Sequence, residues 1–274
     1  MLDPDHTNAK IFAANRATGH IALVVASRGR RTQRTRVHED GSLRVRFPHA
    51  EGDALEAVII NTGGGMTGGD RFEVDIALDE GAGLIASTAA AEKIYRSTGP
   101  DAAMDVRLTL ADGARLAWLP QETILFDRAR LSRRIEVDLA ETASLVLAEA
   151  VVFGRAAMGE AMQHGFFADR WRVRRAGKLV FADSARLDGT VAEKLAAPAS
   201  AAGGIAIATV LIAPGDEATL AAVRALEAAG EVGISCWNGI AVARLCATDG
   251  AALRHDLIAL LEALKAPLPR LWLN

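Results

Sequence analysis

The chain has 274 residues, 50% hydrophobic and 24% charged, with a formal net charge of −3. Those values exclude a disordered chain and argue against a surface given over to nucleic acid or an anionic membrane. No run approaches the ~18 apolar residues of a membrane helix, and the opening MLDPDHTNAK has no basic segment ahead of an apolar core, so a cytoplasmic location is expected.

Residues 1–18 read as a loose start. The stretch SRGRRTQRTR carries Arg28, Arg30, Arg31, Arg34 and Arg36. It lacks the interleaved aromatics and reading helix of a nucleic-acid grip, so an edge strand or solvated loop is expected, with no nucleic-acid partner. Next comes NTGGGMTGGD (61–70), in which Gly63 to Gly68 satisfies G-x-G-x-x-G. A dinucleotide site needs a helix after those glycines, but DRFEVDIAL alternates as a strand. A Walker loop needs Gly-Lys-Ser/Thr, and here Gly69 is followed by Asp70. The loop is therefore predicted to be structural, its glycines shaping a tight β-connection.

Three segments then repeat: RFEVDIALDEGAGLIAST (71–88), AMDVRLTLADGARLAWLP (103–120) and RRIEVDLAETASLVLAEA (133–150). Each alternates apolar and polar residues, turns, and resumes at Ala-x-Leu. The alanines, Ala82, Ala114 and Ala143, stand 32 and 29 residues apart. A period of two marks a strand with one buried face, and units recurring at about 30 residues predict a stacked, solenoid-like β architecture. The last third differs. Residues 215–230 and 249–267 read as helices, closed by Gly230 and Pro267. Residues 232–247 alternate like a strand, and 197–204 form a Pro/Ala/Gly loop. One domain is expected over 1–274, mainly β over 19–200, with strand and helices over 205–274. Cys236 and Cys246 are too few for a disulfide framework and read as buried thiols.

Six histidines, among them His20 and His38, form no H-x-x-H pair, and no C-x-x-C occurs, which argues against a preassembled zinc site. Scattered carboxylates remain as ligands for a transient metal. No G-x-S-x-G elbow or nucleophile–base pattern is visible. Glu122 with Asp127, or Glu149 with Glu160, leave open a hydrolase built on an acidic cluster.

Taken in order, GGGMTGGDR, STAAAEKIYRS, LPQETILFDRARL, LAEAVVFGRAAMGE and the terminal LPRLW resemble the urease accessory protein UreD (UreH) family. The likeness runs from about residue 20 to the C-terminus. It implies a mainly β fold, a flattened β-helix-like stack with a smaller α-helical C-terminal portion, in agreement with the repeats. It also implies a non-enzymatic scaffold that joins UreF, UreG through UreF, and the apo-urease subunits, and that helps deliver nickel along a polar tunnel. No cofactor would be tightly bound; nickel would pass transiently. Gly64, Gly65, Gly68, Gly69 and Asp70 match the family's Gly-Gly-x-x-Gly-Gly-Asp, and Lys93, Tyr95, Arg96 and Ser97 its Lys-x-Tyr-Arg-Ser. Gly154, Arg155, Gly159 and Glu160 match Gly-Arg-x-x-x-Gly-Glu. On this reading Asp70, Glu122, Asp127, Glu149 and Glu160 are candidates for the metal path, with Ser87 and Thr88 as neutral oxygens. The competing expectation is that these acids pair with arginines such as Arg128 and Arg155. Two departures stand out: Thr62-Gly63 where relatives carry prolines, and Glu92 where many have a small hydroxyl residue. Leu257, Leu260, Leu261 and Leu264 form a helical stripe that would pack on UreF or on the chain's own sheet.

Overall fold

Each of the three repeats forms a strand, a tight turn and a second strand, and like strands stack from one repeat to the next. The computed structural model describes residues 15–48 and 52–273; residues 1–14 of the expected loose start lie outside the described residues. The strands are β1 (Thr18–Arg28), β2 (Arg31–Gly41), β3 (Leu43–Arg46), β4 (Leu55–Asn61), β5 (Arg71–Leu78), β6 (Gly83–Thr88), β7 (Glu92–Ile94), β8 (Ala102–Leu110) and β9 (Arg115–Trp118). They continue as β10 (Thr123–Leu125), β11 (Arg130–Leu139), β12 (Ser144–Arg155), β13 (Glu160–Ala161), β14 (His164–Arg175), β15 (Lys178–Thr190), β16 (Ala206–Ala213), β17 (Glu231–Trp237) and β18 (Ile240–Ala247). The helices are α1 (Val191–Ala196), α2 (Glu217–Arg224) and α3 (Gly250–Ala263).

The first sheet runs β15-β14-β11-β8-β5-β1-β2 and the second β17-β18-β16-β12-β9-β6-β4-β3. Within them β1, β5, β8, β11 and β14 are parallel neighbours, as are β4, β6, β9 and β12. Antiparallel pairs flank both runs. Register stacks like on like: Val74, Val106, Ile135 and Trp171 form one inner row, Ile76, Leu108, Val137 and Val173 the next. Leu84, Leu116 and Leu145 answer them on the second sheet. The two inner faces bury one continuous core, each layer covering its neighbour. The architecture is the expected stacked β-helix, and β7, β10 and β12 add a short parallel ladder at one corner.

The helical stripe stays at home. Leu257, Leu260 and Leu261 are fully buried, packed in a second core with Leu253, Val210 and Ala243 on the outer face of the second sheet. The helix ends fall earlier than the periodicity suggests. α2 stops at Arg224 because buried Asp256 accepts the amides of Ala229 and Gly230, each at 2.8 Å, and draws the chain toward β17. α3 stops at Ala263, two residues before Lys265 adopts a positive φ of 54°. The segment 232–247 is two strands, since Asn238 and Gly239 take φ of 50° and 72° and reverse the chain as a hairpin turn. Cys236 and Cys246 are free and half-buried, not fully buried. The arginine-rich stretch is the exposed edge strand β2 and its approach.

Candidate functional site

The glycine loop lies between two strands, β4 and β5, so no helix follows it to meet a phosphate. It packs directly on the segment that carries Lys93, Tyr95, Arg96 and Ser97, so two distant sequence blocks form one joint. Met66 N–H donates to Lys93 O and Tyr95 N–H to Met66 O, both at 2.7 Å, while the Tyr95 hydroxyl donates to Gly64 O. Thr67 Oγ1 donates to Arg96 O. A Cβ on Gly65 would lie 2.4 Å from Tyr95 Cε2, and one on Gly68 would lie 1.9 Å from Ser97 Oγ and 2.3 Å from Pro100 O. Close approach is the reason for glycine at both positions. Asp70 is the clamp of this joint: its carboxylate accepts the amides of Ala17 and Thr67 at 2.8 and 2.7 Å.

Behind the joint, between the two sheets, lies a cavity of about 170 Å³. Apolar walls come from Phe72, Met104 and Trp118, and oxygen-bearing groups from Thr88, Glu92, Gln121, Thr123 and Glu149. Glu92 accepts a hydrogen bond from Asn61 Nδ2 at 2.9 Å. Burial, against that hydrogen bond, pushes its carboxyl up to about 7.

Register explains how charge enters the interior. Phe72, Met104, Arg133 and Asp169 occupy one row across β5, β8, β11 and β14, so the apolar row turns ionic halfway along the sheet. Arg133, 2% exposed, pairs with Asp169 beside it and with Glu149 on the facing sheet, where Trp118 Nε1 also donates to Glu149 Oε1 at 2.8 Å. Burial works against the Arg133 charge, but Asp169 and Glu149 more than offset it and raise the guanidinium further. Burial pushes Glu149 upward against the pull of Arg133 and Trp118. A second, smaller cavity of about 50 Å³ adjoins this trio and reaches Thr209, Asp183 and Arg244. Arg244 pairs with Asp183 at 2.8 Å and is half-exposed. Glu149 is thus a wall of both cavities, and a polar seam crosses the core from Glu92 to Arg244.

The five acids singled out in the sequence do not converge. Glu149 lies in the seam. Asp70 clamps the glycine loop nearby. Glu122 pairs with Arg254 of α3 at 2.8 Å, and that arginine also holds Gln121 Oε1, Leu271 O and Trp272 O, tying LPQE to LPRLW. Asp127 and Glu160 meet at another corner: Glu160 accepts from Asp127 N–H and pairs with Arg155, and Asp127 accepts from His164 N–H. Arg155 lies 4.1 Å over the Phe126 ring, and Arg128 stands 3.7 Å from Asp127. Ser87 is buried outside the walls just described, while Thr88 lines the larger cavity. Arg133 and Asp169 escaped sequence reading. Their signal was phase, a charged residue at the inward position of an otherwise apolar alternation.

Residues 17–273 match the profile of the UreD urease accessory protein family. The chain is 57% identical over 277 residues to the urease accessory protein UreD of Rhodopseudomonas palustris (strain BisA53), covering 100% of this chain and 96% of the relative. It is 56% identical over 275 residues to urease accessory protein UreD 3 of Bradyrhizobium sp. (strain BTAi1 / ATCC BAA-1182), covering 99% of each.

Proposed function

This chain belongs to the UreD family of urease accessory proteins, and on that premise we propose that it is a non-enzymatic scaffold for assembly of the urease nickel centre. It joins UreF, and UreG through UreF, to the apo-urease subunits. Nickel is its cargo and binds transiently, with no resident cofactor. No helix among the described residues is long and apolar enough to cross a membrane.

The observation that carries this reading is the position of Glu149, common to both interior cavities. With Glu92, Asp169 and Asp183 it sets four carboxyls against the two guanidiniums of Arg133 and Arg244 along the seam, a surplus that favours a cation. Carboxylate, hydroxyl and amide oxygens spaced along a polar path let a dication move between shallow sites, bound weakly enough to leave each one. Arg133 keeps the site shallow by competing for both carboxylates. The outlying Asp127 and Glu160 fit a role in holding turns more readily than one in the path.

Co-expression with UreF, UreG and the urease subunits tests the proposal, with pull-down and urease activity after nickel addition. Wild type should co-purify and activate, whereas Glu149→Gln should co-purify normally and activate poorly. Loss of co-purification in that variant would make Glu149 structural. Failure of the wild type in both assays would overturn the scaffold itself.

A further inference from the structure

The outer face of the first sheet carries a cluster that the interior seam does not use. β1 supplies His20 and β5 supplies Glu73 and Asp75, and one ligand atom from each lies within 4.8 Å of the others. His20 Nε2 stands 2.8 Å from Asp75 Oδ2. Two donors about 2.1 Å from a metal ion and at right angles to each other are about 3 Å apart. At a tetrahedral angle the separation is about 3.4 Å, so His20 and Asp75 need part by only a few tenths of an ångström to become adjacent ligands.

Strand register explains the convergence. Ala22 lies directly between His38 on β2 and Asp75 on β5. Its methyl group leaves a low floor between two polar neighbours. His20, two residues earlier on the same face, reaches across this floor to Asp75, and its ring lies 5.3 Å from that of His38. Glu73 pairs across the ladder with His20.

The surroundings suit a cation. Arg107 Nη1 donates to Asp75 Oδ1 at 2.9 Å, which fixes the carboxylate with Oδ2 turned toward His20. Metal-ligating carboxylates take this kind of outer support. Asp40 pairs across from His20, and Asp105 from Glu73. Four acids thus face Arg107 and the more distant Arg134, 3.9 Å from Asp105. His20 and Asp75 are about one-third exposed, open to an ion from solvent.

We propose that His20, Glu73 and Asp75 form a surface site for a borderline first-row divalent cation, Zn²⁺ or Ni²⁺, with His38 placed to supply a fourth donor. An imidazole beside carboxylates selects such ions over Mg²⁺ or Ca²⁺, which prefer all-oxygen sets. The site lies outside the core and does not depend on the interior path.

Equilibrium dialysis of the full chain with Zn²⁺, Ni²⁺ or Mg²⁺ alone tests it, using wild type, His20→Ala, Glu73→Gln and, as control, Glu217→Gln at an exposed position of α2. His20→Ala should lose one bound equivalent of Zn²⁺ or Ni²⁺, and Glu73→Gln should bind that equivalent at least ~10-fold more weakly. Glu217→Gln should keep it, and Mg²⁺ should not fill it. Histidine side-chain NMR of the wild type, independent of any variant, should show His20 signals broadened by substoichiometric Ni²⁺. Unchanged stoichiometry and affinity in His20→Ala and Glu73→Gln, or broadening that leaves His20 untouched, would reduce the cluster to an ordinary ion-pair network and overturn the proposal.

Discussion

Arg133 and Glu149 come from opposite sheets and meet as an ion pair, with side chains only 1% and 6% exposed. Asp169 occupies the other side of the same guanidinium. Removing one partner from such a group leaves its counter-charge stranded in the core, which costs about 3–5 kcal/mol. Arg133→Met should lower the unfolding free energy by that amount in urea titration. Adding Glu149→Gln and Asp169→Asn to it should recover most of the loss. A single Arg133→Met variant as stable as wild type would mean that both acids are already neutral in the native protein.

The repeating layers were legible because each inward position along β5, β8 and β11 meets its counterpart from another repeat. Val74, Val106 and Ile135 could be read as core from alternation alone, and they are one row. Arg133 was hidden by its type, since it holds an inward phase but a charged side chain is ordinarily assigned outward. Glu149 was singled out, yet its partner lies 16 residues away on the facing sheet, and a pairing across two layers leaves no local signature. The end of α2 is hidden from the sequence for a related reason. Asp256, on one helix, decides where the other stops by taking the amides of Ala229 and Gly230. The His20 cluster shows the same limit: β1 and β5 bring together residues more than 50 positions apart, where spacing motifs have nothing to detect.

Glu92 predicts a pH dependence whose sign is opposite to that of a salt-bridged acid. Its native carboxyl titrates near 7, against a reference value of 4.5. Between those values the native state holds the proton and the unfolded chain releases it. Stability therefore falls as pH rises through that window and levels off above about 7. The shift corresponds to at most about 3–4 kcal/mol. Urea titrations of wild type and Glu92→Gln from pH 4 to pH 8 isolate the effect, since the other carboxyls cancel in the difference. The Gln variant should gain on wild type steadily across the window. A flat difference would place Glu92 in contact with solvent.

Gly64 and Gly65 are neighbours that should respond differently to the same substitution. Both have positive φ, 73° and 150°. A Cβ on Gly64 meets nothing within 4 Å, so Gly64→Ala should cost only the backbone strain, about 1–2 kcal/mol. A Cβ on Gly65 would lie 2.4 Å from the Tyr95 ring and 2.7 Å from Lys93 O. Relief there must move a backbone carbonyl, and overpacking adds about 1–3 kcal/mol to the strain. Thermal unfolding of the two variants should rank Gly65→Ala clearly below Gly64→Ala. Equal losses would show that the Tyr95 side of the joint yields.

Arg254 ties the last residues to the rest of the molecule. Its guanidinium donates to Gln121 Oε1 and Glu122 Oε1 at 2.7 and 2.8 Å, and to the carbonyls of Leu271 and Trp272. Its charge also lies 5.2 Å over the Trp272 ring. Trp272 is 1% exposed and donates from its indole to Leu119 O at 2.9 Å, so the tail has an anchor of its own. Arg254→Ala removes the bridge without removing that anchor. It leaves Glu122 half-buried without its partner, a loss of about 1–3 kcal/mol. Hydrogen exchange should speed up over residues 268–273 and around Gln121, and remain unchanged in β5, β8 and β11. Arg254→Lys restores charge but not the fork that serves four acceptors, and should recover only part of the protection. Protection equal to wild type in the Ala variant would assign the docking of the tail to Trp272 alone.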